Sequence, residues 1–176
     1  ETGQVYQRYS NREYVRLDKF EPWEKEEAEL EIVRRYFENY GPCTADDARI
    51  YFKRRKRVVQ NWMDKLDLEE VIVDGVSKHG LNIDYDADKL PDLLLLSGFD
   101  PLLIGYEREN NPFVEPEYAR EIFGYSGLIR PSILVGDRIV GTWRFVAGKP
   151  KMNIFAELTK AELERIENFL HNLERQ

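Results

Sequence analysis

One cysteine, Cys43, in 176 residues leaves nothing to pair in an internal disulfide, so hydrogen bonds and an apolar core must hold the fold. The two histidines, His79 and His171, are far apart and have no partners at metal-ligand spacing. No metal and no cofactor is therefore predicted. No apolar run approaches the roughly 18 residues of a membrane span. No signal peptide is visible, and the plain expectation is a cytoplasmic protein with no membrane contact. Glycines such as Gly124, Gly127 and Gly136 suit turns and form no phosphate loop. An excess of positive charge is also missing: the formal net charge is −7. That excludes wholesale electrostatic capture of nucleic acid and confines any such contact to a local patch. The chain opens on Glu1 rather than Met, which fits a processed product or a piece of a longer protein.

What is present begins with the most apolar stretch, Leu93 to Tyr106. Leu93–Leu96, bounded by turn residues, reads as a strand buried on both faces, although a short buried helix fits the same pattern. Asp100-Pro101 is a helix start, with Asp as the N-cap and Pro at the first helical position. Phe99 and Trp143, set among apolar neighbours, are expected to be buried.

Upstream, Gln4 to Phe20 suggests a ragged hairpin around Ser10-Asn11. Pro22 to Tyr40 reads as a helix with Glu24, Glu26 and Glu27 in its first turn. Its apolar stripe is Leu30, Val33, Phe37 and Tyr40, widened by Ala28, Ile32 and Tyr36. Gly41-Pro42 ends it. Thr44 and Asp47 form a capping box for a second helix with Ala48, Ile50, Tyr51 and Phe52 as core candidates. Cys43, beside that cap, is expected to be a buried filler. A third helix covers about Arg55 to Leu66, with Val58, Val59, Trp62, Met63 and Leu66 inward. A strand over Glu70–Asp74, a turn at Gly75-Val76-Ser77 and a return strand from Lys78 to Ile83 follow. His79 is expected at the ribbon tip. Asp84, Asp86 and Asp88 lack the glycine and closing glutamate of a calcium loop, which rejects that site.

Downstream, Pro116 opens a short helix through Tyr118, Ala119, Ile122 and Phe123. Ser132–Val135 and Arg138–Val146 around Gly136-Asp137 make the strongest hairpin signal. Ala147 to Pro150 reads as the next turn and Lys151–Phe155 as a third strand. Thr159 and Glu162 box the start of a last helix with Leu163, Ile166, Phe169, Leu170 and Leu173 inward, and His171 on the surface near its end.

Three short helices and a two-stranded ribbon are the winged-helix arrangement, in which the third helix meets the DNA major groove. The fold class is therefore α+β. Residues 1–21 are an extension or hairpin, 22–88 a winged helix-turn-helix domain, and 89–176 a small β-rich α+β domain with a terminal helix. Lys53-Arg54-Arg55-Lys56-Arg57 puts five cations at the start of the third helix, and Gln60, Asn61 and Lys65 continue it. Lys78 adds a cation on the ribbon. Cations there neutralise phosphates, and the amides reach base edges. The predicted DNA-binding set is Arg54, Arg55, Lys56, Arg57, Gln60, Asn61, Lys65 and Lys78. The partner is double-stranded DNA. A solvated charge run, or a patch for an acidic protein, fits the composition equally well.

Three stretches carry a family resemblance: Arg35 to Asp47, Leu95 to Tyr106, and Arg130 to Arg144. Together they resemble the C-terminal half of the bacterial winged-helix DNA glycosylases, the AlkZ-like or YcaQ-like family. The resemblance implies a base-excision repair enzyme that hydrolyses the N-glycosidic bond of alkylated or crosslinked purines. It also implies N-terminal winged helices of the same protein as partners. That family positions its water with a Gln-x-Gln or Gln-x-Asp motif. This chain has neither: Gln4 and Gln7 are wrongly spaced, and Asn61-Trp62 follows Gln60. No catalytic residue is therefore predicted. The rival expectation is a free-standing winged-helix regulator or protein-interaction module without enzymatic activity.

Overall fold

The computed structural model describes residues 4–8, 11–15, 21–84 and 91–173. It is a mixed α+β structure. The N-terminal hairpin is present: β1 (Gln4–Arg8) pairs antiparallel with β2 (Asn11–Val15), Gln4 opposite Val15. Leu17 and Phe20 of the expected hairpin lie outside the described residues, as do Asp86 and Asp88.

Helix α1 runs Lys25–Tyr40, three residues later than Pro22 suggests. Glu24 is its N-cap, and Glu26 and Glu27 occupy the first turn. Helix α2 is Ala45–Phe52, and its capping box forms as the sequence reads. The Thr44 N–H donates to Asp47 Oδ2 at 2.8 Å and the Asp47 N–H returns to Thr44 Oγ1 at 3.1 Å. Helix α3 is shorter than expected, Lys56–Met63. Val33, Phe37, Ala48, Val59, Trp62 and Met63 form the core of this half. Ile32, at 57% exposure, and Ile50 and Tyr51 lie outside that core, contrary to expectation. The apolar stripes of α1 and α2 are wider than the surface that α3 covers, so residues at their margin stay open.

Ribbon strands β3 (Glu69–Val73) and β4 (Val76–Gly80) correct the sequence reading. The turn is Asp74-Gly75, not Gly75-Val76-Ser77. Both residues have positive φ, 52° and 76°. A two-residue hairpin turn of that hand matches strand twist, and Asp-Gly is a preferred pair for it. His79 consequently sits at the base of the ribbon rather than its tip. Its backbone exchanges two hydrogen bonds with Cys43, of 2.8 and 2.9 Å. Cys43 is buried, as expected, and burial pushes its thiol up to about 12.

The second half centres on an antiparallel sheet of order β5-β6-β7-β8. Its strands are β5 (Leu93–Leu96), β6 (Ser132–Val135), β7 (Arg138–Val146) and β8 (Lys149–Ile154). The leucine run is the expected strand, buried toward both faces. Leu94 and Leu96 pack with Leu103, Ile122, Leu134 and Ile139, whereas Leu93 and Leu95 pack with Ile133, Val140, Ile166 and Leu170. A register shift between Ile133 and Leu134 inserts Val140 as a bulge in β7.

The turn before β8 is Ala147-Gly148, and Pro150 lies inside the strand. Proline is tolerated there because β8 is the sheet edge. Asp100 caps α4 (Pro101–Ile104) by accepting the Leu102 N–H at 3.1 Å. The short helix after Pro116 is a 3-10 turn that continues as α5 (Ala119–Ile122). Thr159 and Glu162 box the start of α6 (Lys160–Leu173), which covers one sheet face through Ile166 and Leu170. His171 is exposed in its last turn, as read.

Three aromatic expectations divide. Trp143 is half-buried and donates its indole N–H to Leu96 O at 2.9 Å. Phe99 is 54% exposed at a φ of 60°, so it is a surface turn residue and not core. Phe169 also faces out, because Ile166 and Leu170 already fill the sheet face.

Polar ties join the halves. Tyr36 donates its hydroxyl to Gly105 O at 2.8 Å, and Tyr106 donates to Tyr40 O at 2.9 Å. Asp47 Oδ1 accepts the Glu107 N–H at 2.8 Å. A side chain at Gly105 would strike the Tyr40 ring, so the close approach needs glycine.

Candidate nucleic-acid interface

The cation run does not begin α3. Lys53 has φ 52° and closes α2 in the left-handed conformation, its N–H returning to Ile50 O at 3.2 Å. Arg54 and Arg55 form the turn, Arg55 is the N-cap of α3, and only Lys56 and Arg57 lie in the helix. The run therefore occupies the α2–α3 turn and the first turn of α3. All five residues are exposed.

Their electrostatic states differ. Lys56 Nζ lies 3.1 Å from Asp46 Oδ2. That contact, with help from Arg49, holds the Asp46 carboxyl below its usual range. Lys65, two residues past α3, meets Glu26 of α1 and lowers its pKa in the same way. Lys53, Arg54, Arg55 and Arg57 make no ion pair with a described residue. Cations on α1 behave otherwise: Arg34 reaches Glu31 and Glu38, and Arg35 reaches Glu31.

The predicted amides are near but not equivalent. Arg57, Gln60, Asn61 and Asp64 line one open depression on α3. Gln60 Nε2 donates to Asp64 Oδ1 at 3.1 Å, whereas Asn61 has no such partner among the described residues. Arg54 lines a different depression with Glu29, Ile32 and Trp62, against α1. Lys78 stands apart. It is half-buried within β4, opposite Val71, and it acts electrostatically on Cys43. Arg57 thus shares its depression with Gln60 and Asn61, Arg54 lies in another against α1, Arg55 lines neither, and Lys56 and Lys65 are already paired.

The predicted DNA-binding set left out Lys53, although the sequence reading counted it in the cation run, and it gave no place to Arg144 and Lys151. The signal for the latter pair was the Ala147-Gly148 turn. A two-residue turn there sets Arg144 directly opposite Lys151.

No group of three or more His, Cys, Asp or Glu residues suited to a metal ion occurs among the described residues. No helix among them is long and apolar enough to cross a membrane.

Comparison with known proteins gives three findings. A family model described as DNA glycosylase AlkZ-like matches residues 3–175. An interstrand DNA cross-link repair glycosylase from Streptomyces sahachiroi is 22% identical over 153 residues, which is 82% of this chain and 41% of that protein. The solved structure of Streptomyces sahachiroi DNA glycosylase AlkZ superposes with a TM-score of 0.74 at 23% identity. It covers 89% of this chain and 44% of that one, so this chain spans less than half the length of either relative.

Proposed function

The chain belongs to the AlkZ-like DNA glycosylase family, and from that premise we propose that it is the DNA-holding C-terminal region of a base-excision repair glycosylase. In this reading α1, α2, α3 and the β3–β4 ribbon form a winged helix over residues 22–88, beside a β-rich domain over 89–176. The substrate of the whole protein is duplex DNA carrying alkylated or crosslinked purines. N-terminal winged helices of the same protein would complete the enzyme.

One observation carries the proposal. In a chain of net charge −7, Lys53, Arg54, Arg55 and Arg57 are exposed together without acidic partners among the described residues. Leaving cations unneutralised at one turn makes a phosphate-sized attraction available at that turn and almost nowhere else on these helices. Arg54, Arg55 and Arg57 would take phosphates. Gln60 and Asn61, on the exposed side of α3, are the side chains that can reach a base edge. Lys56, Lys65 and Lys78 contribute only where DNA displaces Asp46 or Glu26, or approaches the ribbon.

The same reading assigns no glycosidic chemistry to this chain, because the Gln-x-Gln or Gln-x-Asp element is absent from its sequence. Incubation of the chain with duplex carrying an N7-alkylguanine should release no base above background. Release that scales with protein concentration would overturn that half of the proposal.

A further inference from the structure

Among the described residues, unpaired cations also gather on the second half. Arg144 of β7 and Lys151 of β8 are cross-strand partners, both exposed, and neither meets a carboxylate among the described residues. Like charges directly opposite on an antiparallel pair destabilise it. Here the pair stands at a cleft of about 590 Å³ between β7, β8 and the Arg130 segment. Thr142 and Asn153, the neighbouring cross-strand pair, line the same cleft. Side chains two residues apart on a strand share a face, so a hydroxyl and an amide flank the two cations. Arg130 lines the cleft as well. Its Nη1 donates to Arg120 O at 3.1 Å and Glu121 O at 2.6 Å, which fixes the guanidinium. Glu121 is the one carboxylate in the lining, against three cations.

The chemistry of the lining selects a ligand. Donors and positive charge outnumber the one aromatic residue of the lining, Trp143. The Trp143 ring packs with the α6 cluster, and its N–H is taken by Leu96 O. A lining rich in cations and donors favours phosphate oxygens. Charges on an edge strand and on the segment beside it suit a chain of phosphates better than a single one.

We propose that this cleft is a second phosphodiester-binding site, where Arg130, Arg144 and Lys151 grip the backbone of DNA without reading its sequence. The inference rests on the DNA-holding role of the chain. It adds a contact from the β-rich half, so that both halves hold the duplex.

The test is a fluorescence titration of the full 176-residue chain with labelled duplexes of two unrelated sequences, over a range of salt. Arg144→Gln with Lys151→Gln is compared with Lys25→Gln with Lys160→Gln, which removes two exposed cations from α1 and α6. The cleft variant should flatten the slope of log K against log salt by about 1.8, from two phosphate contacts at roughly 0.9 each. The loss should be equal on both sequences, and the control variant should keep the parent slope. If the double variant fails to fold, Lys151→Gln alone should flatten the slope by about 0.9.

A parent-like slope in the folded cleft variant, or the same change in the control, overturns the inference. So does unchanged binding with new self-association, which would make the pair a guard on the β8 edge. If the parent binds and only substitutions in the α2–α3 turn weaken it, the cleft fails and the DNA-holding role stands. If the parent does not bind at low salt, both fail.

Discussion

Replacing Asp47 tests how the two halves are joined. Its side chain is only 5% exposed. One carboxylate oxygen accepts the Thr44 N–H at 2.8 Å and the Thr44 hydroxyl at 2.6 Å. The other accepts the Glu107 N–H at 2.8 Å, sixty residues along the chain. Asp47→Ala removes one arm of the α2 capping box, for which about 1 kcal/mol is typical. It also orphans the partly buried Glu107 amide, a loss of up to about 1–3 kcal/mol for an unsatisfied donor. Release of a buried carboxylate from its desolvation offsets part of this, so the net loss should be about 1–3 kcal/mol. For a domain of this size each kcal/mol moves Tm by about 2–4 °C, which places the expected drop at about 6 °C. Thermal melts followed by circular dichroism measure the drop, and urea melts followed by tryptophan fluorescence measure the free-energy loss. Asp47→Asn keeps one acceptor and the volume, and should lose about half as much. A loss under about 0.5 kcal/mol in Asp47→Ala would refute the reasoning. It would mean that the Thr44 hydroxyl alone caps α2 and that water satisfies Glu107.

Phe99→Ala should cost under about 1 kcal/mol, since the ring is exposed, and Phe99→Gly should be more stable than Phe99→Ala because φ is positive there. Thermal melts of the two variants check the order. Hydrogen bonds from Arg34 and Arg35 hold the Glu31 carboxyl at about 2 instead of 4.5. A depressed acid contributes stability that is present above its unfolded value and lost as pH falls through the folded one. Denaturant melts should therefore show a Glu31-dependent decline between pH 4.5 and about 2 that Glu31→Gln lacks. A variant with an unchanged acid profile would rule that pairing out.

How far the sequence spoke depended on the range of the interaction. The Thr44–Asp47 and Thr159–Glu162 boxes and the Asp100-Pro101 start are complete within four residues, and each formed where the residues indicate. The Gly136-Asp137 hairpin is equally local. The Asp74-Gly75 turn was legible too, but only if the Asp-Gly pair outweighs the Gly-Val-Ser run beside it. Phe99 misled because apolar neighbours in sequence do not say which way a turn residue points. Its positive φ turns it outward from Leu96 and Leu103. The second role of Asp47, and the Tyr36–Gly105 tie, join residues sixty or more apart and leave no local signal. The same holds for the cation run. Five charges in a row were plain, but their division between a turn and a helix depended on Lys53 entering the left-handed region.

Duplex binding by the α2–α3 turn is the central claim, and one titration addresses it directly. The full chain and its Arg54→Ala, Arg55→Ala, Arg57→Ala variant are titrated with labelled duplex at two salt concentrations. The parent should bind weakly and lose affinity as salt rises. The triple variant should bind more weakly still, about equally on all sequences. Its slope should be flatter by up to about 2.7, from three contacts at roughly 0.9 each. Binding that the triple substitution leaves untouched, with the parent salt slope retained, would contradict the claim.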